Sequence, residues 1–168
     1  MAIGGELVPL GLVAGRAAGS LTLNLSGAIL PLAMAEENVE IVRTAIDAYN
    51  RRDIPAVLER LDPEVELLPI RAVLDGMVYR GHEGFKQFMD DMSEEWEEFH
   101  PEPEQFRKIG SDYIMVLGRF LGRTRTSGVE VDSPGIWMCH LSEGKILRVQ
   151  FYTDAAAALG SFEEGSAE

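Results

Sequence analysis

The feature that most constrains this chain is the stretch from Tyr113 to Tyr152, where three strand-like runs alternate with two turn signals. Residues 113–124 begin apolar and β-branched and end basic, Thr126-Ser127-Gly128 breaks the run, and residues 129–141 return. Ser142-Glu143-Gly144-Lys145 then closes a second hairpin into residues 146–152. Connections this short join antiparallel neighbours, so the stretch is predicted to form a meander. Strands of this length must curl and bury at least one face, and the upstream helices have the pattern to cover it.

At 168 residues the chain suits one domain with its own core. Its net charge of −13 argues against binding nucleic acid or an anionic membrane surface, both of which need a positive face. Much of the acid lies close together, at Asp90, Asp91, Glu94, Glu95, Glu97, Glu98, Glu102 and Glu104. That run reads as a solvated helix face, with docking of a basic partner as the functional alternative. The one cysteine, Cys139, excludes an intrachain disulfide and a cysteine-rich metal site, and inside a strand run it reads as a buried, inert thiol. His82, His100 and His140 lie far apart without metal-ligand spacing. With no phosphate loop and no dinucleotide fingerprint either, no cofactor is predicted.

Residues 1–33 carry only Glu6 and Arg16 as charges and are rich in Gly, Ala and Leu. One reading is a secretory signal, with an apolar run over 21–32 and Ala33-Met34-Ala35 as its cleavage site. Glu6 in the leader and Thr22, Asn24 and Ser26 in the run speak against it, and the run is too short and polar to span a bilayer. The preferred reading takes Met34 as the working start and 1–33 as an extension outside the fold, which implies a cytoplasmic protein; the signal reading would export it.

Helical patterning begins immediately after Met34. Val39, Val42, Ala45, Ile46 and Tyr49 follow helical spacing over 36–52, with Glu36, Glu37 and Glu40 near the positive end. Asp53 is placed to cap a short second helix with Pro55 in its first turn. A strand over 64–68, a loop over 69–76 and a brief strand over 77–80 follow. Gly81-His82-Glu83-Gly84 opens a third helix whose stripe is Phe85, Phe88, Met89, Met92, Trp96 and Phe99, ended by Pro101 and Pro103. Residues 104–109 begin the sheet, and Asp132-Ser133-Pro134-Gly135 is predicted to bulge or bend. An alanine run after Asp154 suits one helical turn. The domain is therefore placed at 34–156, followed by an acidic disordered tail at 157–168. Helices segregated from an antiparallel sheet make the fold α+β.

Several strings in this order carry a family likeness: Tyr49-Asn50-Arg51-Arg52-Asp53, Leu61-Asp62-Pro63-Glu64-Val65-Glu66, Tyr79-Arg80-Gly81-His82-Glu83-Gly84, Ser127-Gly128-Val129-Glu130-Val131 and Gly144-Lys145-Ile146. Over residues 36–154 the chain resembles the SnoaL-like branch of the nuclear transport factor 2-like (ketosteroid isomerase-like) superfamily. The resemblance implies a cone-shaped barrel, a curved antiparallel sheet wrapped round three helices, with a pocket and a homodimer paired through the outer sheet face. Enzymes of this superfamily include ketosteroid isomerases, polyketide cyclases, dehydratases and limonene-epoxide hydrolases, beside non-catalytic binding modules, so fold alone does not choose. Aligned on Asn50 and Asp53, the isomerase tyrosine falls on Ala45, its base near Pro69 and its neutral acid near Ile136. Arg119 fits the arginine of the epoxide hydrolases, but their carboxylates fall on Leu121 and Phe151.

The expected function is a largely apolar pocket for a small molecule, serving a cofactor-free cyclase, isomerase or hydrolase, or a non-catalytic binding or dimerisation module. Arg119 shares an alternation with Met115, Leu117 and Leu121; on a pocket face it would bind a carboxylate or enolate, and at a sheet edge it would snorkel to water. His140 and Asp75 are the further candidates for acid–base chemistry. Tyr49, Glu66, Trp96 and Tyr152 are the candidates for ligand contact. Trp137, Cys139 and Leu141 form one apolar alternation and Ile136 and Met138 another, so both faces of that strand call for burial, which favours a homodimer.

Overall fold

Along residues 25–154 and 156–160, which the computed structural model describes, four helices and six strands precede a final helical turn at 156–160. They are α1 (Leu25–Asn50), α2 (Ile54–Arg60), β1 (Leu61–Leu68), α3 (Ala72–Asp75), β2 (Tyr79–Arg80), α4 (Gly81–Glu95), β3 (Trp96–Ile109), β4 (Tyr113–Thr124), β5 (Glu130–Ser142) and β6 (Lys145–Tyr152). The readings of residues 1–24 and of the tail from 161 onward lie outside the described residues. The chain divides into Met1–Glu36, whose described part is the start of α1, and Glu37–Glu168, which carries the sheet. Among the described residues no helix is long and apolar enough to cross a membrane.

The α+β class and the meander are as expected: β3, β4, β5 and β6 are antiparallel neighbours in chain order. The tight turn between β5 and β6 has Glu143 and Gly144 both at positive φ (51° and 78°), the backbone that matches the twist of a two-residue hairpin. The full order is β2-β1-β6-β5-β4-β3, an open curved sheet rather than a closed barrel. It is not wholly antiparallel either. β1 lies parallel to β6, because no hairpin joins these two strands and the chain between them is free to return in the same direction.

Several element boundaries differ from expectation, among them the start of β1, which is Leu61 rather than residue 64. α1 extends back to Leu25, through a segment rich in good helix formers. The loop before β2 holds a fourth helix, the short α3, closed by Gly76 in the left-handed conformation (φ 72°). α4 stops at Glu95, and Trp96 is already extended, so Trp96 and Phe99 belong to β3 rather than to the helical stripe. Pro101 and Pro103 lie within β3 instead of ending a helix; as the last strand of the sheet β3 tolerates missing donors, and its register shifts between Pro103 and Gln105. Finally, Asp132-Ser133-Pro134-Gly135 pairs in unbroken register with residues 118–121, so no bulge forms there.

The two faces of the sheet are buried differently. The inner face supplies Val65, Leu67, Ile114, Val116, Phe120, Trp137, Cys139 and Val149 to a core shared with Val42, Ile46 and Tyr49 of α1, Val57 of α2, and Phe85 and Phe88 of α4. α2 is positioned by the predicted cap, the Asp53 carboxylate accepting from the Ala56 N–H at 3.3 Å. On the outer face Met115, Ile136 and Met138 are buried together with Ala158, and Leu159 packs beside them. The helical turn at 156–160 thus already covers the apolar patch that the sequence reading assigned to a second copy.

Close packing against the meander depends on glycine at one cross-strand pair, Gly118 and Gly135. A Cβ on Gly118 would overlap the Glu102 carbonyl oxygen of β3, and one on Gly135 would overlap the Phe120 ring. Gly118→Ala is therefore expected to push the edge strand away and to lower the melting temperature by about 5 °C or more. An unchanged melting temperature would show that β3 has slack at this point.

Candidate functional site

Between the inner sheet face and helices α1, α2 and α4 lies a cavity of about 470 Å³. Its walls are mainly apolar, with an aromatic run on the sheet side. Phe99, Phe120 and Trp137 stack across β3, β4 and β5 with centroids 5.7 and 5.2 Å apart. Phe151 of β6 meets Phe120 at 6.0 Å and stacks on Phe88 of α4 at 6.3 Å. Val42, Ala45 and Ile46 of α1 form the opposite wall. Ile70 and Leu74, on the segment around α3, also line the space, yet Leu74 is 88% exposed, which puts it at the rim.

Polar groups on this surface are few. Tyr79 of β2 donates to Asp91 Oδ2 at 2.6 Å, and Gln87 Nε2 donates to Asp91 Oδ1 at 2.8 Å. These two donors hold the Asp91 carboxyl below the usual carboxylate range, the Tyr79 bond most strongly. Burial, and then the bond to Asp91, push the Tyr79 hydroxyl up. Arg71 lies close enough to favour the charged form of both. Its guanidinium also meets Asp75 at 3.8 Å and Met77 Sδ at 3.1 Å. Glu95 and Ser133 complete the polar lining.

Two inner groups complete the picture. Tyr49 lines the cavity with a buried hydroxyl that has no hydrogen-bond partner among the described residues. Its neighbour Arg52 lays its guanidinium over the Tyr49 ring at 4.9 Å and spends its donors on the carbonyls of Tyr49 and Phe99. Desolvation pushes the Tyr49 hydroxyl up, and the Arg52 guanidinium beside it offsets part of that rise. Cys139 also lines the cavity, and burial pushes its thiol up to about 12, which keeps it protonated and unreactive at neutral pH. Among the described residues no three His, Cys, Asp or Glu side chains converge as metal ligands do.

The structure brings two of the sequence candidates to the cavity, Tyr49 and Trp96. Four lie on the outer face. Arg119 pairs with Asp132 at 2.6 Å and is 38% exposed. His140 stacks on Tyr113 at 4.4 Å. Glu66 is bound by Arg80 and by Arg148 at 3.0 Å. Tyr152 packs on the outer apolar cluster. Asp75 sits on α3, where it accepts from the Met77 N–H at 2.9 Å and pairs with Arg71, beside the rim rather than on the wall. Residues passed over by the sequence reading are Tyr79, Asp91 and Arg71. Asp91 did carry a signal: it follows Phe88 by three, an acid on the apolar stripe of α4 that the surrounding acidic run disguised.

A family model described as the SnoaL-like domain matches residues 42–149. No curated protein matches the chain. Among solved structures, an NTF2-like protein of unknown function from Burkholderia pseudomallei K96243 is 23% identical, with a TM-score of 0.63, over 74% of this chain and 95% of that one. TerC, co-crystallised with polyporic acid, is 22% identical at a TM-score of 0.63, over 74% of this chain and 96% of its own. A protein with a ketosteroid isomerase-like fold from Catenulispora acidiphila DSM 44928, in complex with trimethylamine, is 16% identical at a TM-score of 0.60, over 72% and 90%. At these identities the likeness establishes the fold.

The placement of Arg119 yields a direct test. A half-exposed arginine paired with an exposed aspartate contributes little to stability. Arg119→Met is expected to move the melting temperature by less than about 2 °C and to leave the shift produced by a pocket ligand unchanged. Loss of the ligand shift in this variant would restore Arg119 to the site.

Proposed function

This chain belongs to the SnoaL-like domain family, and from that premise we propose that it binds a small, largely apolar molecule carrying a polar group, in the cavity between its helices and its inner sheet face. The observation that carries the proposal is the contrast on the cavity surface. A stacked aromatic wall of Phe99, Phe120, Trp137 and Phe151 faces an aliphatic one, while ionisable groups gather at Tyr79, Asp91, Arg71 and Glu95. Such a pocket takes up a ligand's body by burial and orients it through a few polar contacts. Of the neighbours of the same fold, one was co-crystallised with polyporic acid and another is in complex with trimethylamine, which supports a small-molecule ligand here.

A catalytic role is the second reading, and the Tyr79–Asp91 pair is what favours it. A hydroxyl and a carboxylate 2.6 Å apart beside an apolar cavity are the parts of an acid–base device. The geometry speaks for holding rather than proton transfer: Asp91 is already engaged by two donors, Tyr79 and Gln87. Binding is therefore the function proposed, without a resident cofactor.

Ala45→Leu tests it. The new side chain enters the cavity from α1, so ligand-induced stabilisation and tryptophan quenching by apolar probes are expected to fall about tenfold or more, with the melting temperature held or raised. Unaltered probe binding in a folded variant would mean that probes bind elsewhere. Homodimerisation through the outer sheet face, also proposed, would have to displace the turn at 156–160. Sedimentation of the full chain and of a chain ending at Asp154 is expected to show pairing in the shortened form at least as strong as in the full one. Two monomers at micromolar concentration would rule out that interface.

A further inference from the structure

We infer that the ligand of this pocket is a cationic amine, its aromatic or alicyclic body in the cavity and its ammonium group at the C-terminal end of α4. This rests on the pocket reading above and adds the charge of the ligand to it.

Asp91 and Glu95 are four residues apart on α4 and both line the cavity, as do Met92 and Trp96 between and beside them. Three arginines lie near this end, and each is engaged. Arg71 is already engaged by Asp75 at 3.8 Å. Arg125 spends its guanidinium on the carbonyls of Ser93 and Trp96, at 3.0 and 3.1 Å. Arg52 spends its donors on the carbonyls of Tyr49 and Phe99, and neither Arg52 nor Arg125 lines the cavity. Carboxylates in the last turns of a helix oppose its dipole, and α4 has no basic residue in its last turn. On the cavity surface two carboxylates therefore outnumber one guanidinium, which favours a positive charge on the ligand.

The surrounding rings suit an ammonium as well. Trp96 and Phe99 stand 5.1 Å apart at 54° and make an aromatic corner beside Glu95, and Tyr79 and Phe88 meet edge-on at 5.4 Å beside Asp91. Ring faces attract cations, most strongly where water is partly excluded. At long range the net charge of −13 draws cations toward the protein and repels anions.

A set of three probes with one bicyclic body decides the matter: 1-naphthylmethylamine, 1-naphthalenemethanol and 1-naphthoate, titrated against the full chain by tryptophan fluorescence and calorimetry. The amine is expected to bind about tenfold more tightly than the alcohol, and the carboxylate least well. The margin should shrink as salt is raised from about 0.02 M to about 0.5 M. Glu95→Gln, at an exposed position, and Asp91→Asn should each lower the ratio of amine to alcohol affinity, measured for both probes in the same variant. Equal or tighter binding of the alcohol or the carboxylate would overturn the inference and leave the pocket reading standing. Binding of none of the three would overturn the pocket reading itself. An amine preference that survives both substitutions would also refute the assignment to α4.

Discussion

The aromatic ladder from Phe99 through Phe120 and Trp137, with Phe151 reaching on to Phe88, is the interaction on which the rest of this molecule depends. It ties four consecutive strands of the meander to α4 through rings that keep their shape under load. Flexible aliphatic side chains in these places would collapse into the space above them. Rigid stacked rings brace one another, and the helices rest on them without filling the gap. The cavity is thus a consequence of how the core is braced. The Gly118–Gly135 pair serves the same end, since only bare backbone lets β3 and the Phe120 ring come as close as they do.

A second set of contacts ties the edge of the sheet to the end of α1. Asn50 Nδ2 donates to the Pro101 carbonyl at 3.0 Å and Arg52 to the Phe99 carbonyl at 2.7 Å. An edge strand offers unpaired carbonyls, and here side chains from the helix end take them up. The acids of β3, Glu97, Glu98, Glu102 and Glu104, discourage the same edge from pairing with another sheet. The string Tyr49-Asn50-Arg51-Arg52-Asp53, which first carried the family likeness, therefore has a structural purpose at four of its members. Tyr49 walls the cavity, Asn50 and Arg52 hold β3, and Asp53 caps α2.

The hairpins were legible in the sequence because their turn residues require a particular backbone, and the Asp53 cap because its geometry is local. The end of α4 was not. Trp96 and Phe99 continue the i, i+3, i+4 spacing of the stripe, and the same residues suit a strand equally well, so periodicity alone extended the helix too far. The side of the sheet that faces the helices was hidden for a related reason. On β4 both alternations are apolar, Ile114, Val116 and Phe120 on one face and Met115, Leu117 and Leu121 on the other. Alternation tells which residues share a face and nothing about which face meets the helices. Arg119, His140, Glu66 and Tyr152 were drawn together by that ambiguity, and they do share a face, the outer one.

The acidic run of α4 carries the larger lesson about charge. Read as composition it is a solvated face, and for Asp90 and Glu94, both exposed, that is what it is. Asp91 differs only in register. Falling three residues after Phe88, it turns inward far enough to accept from Tyr79 and Gln87 and to border an aromatic cavity. Its neighbours would be equally content on any acidic surface helix; Asp91 would not, because its depressed pKa reflects two specific donors placed by β2 and by α4 itself. A helix that needed acid only for solubility would place it early, where the dipole favours it. Here Asp91 and Glu95 sit at the far end and line the cavity beside aromatic rings, where they leave its surface with more negative than positive side chains.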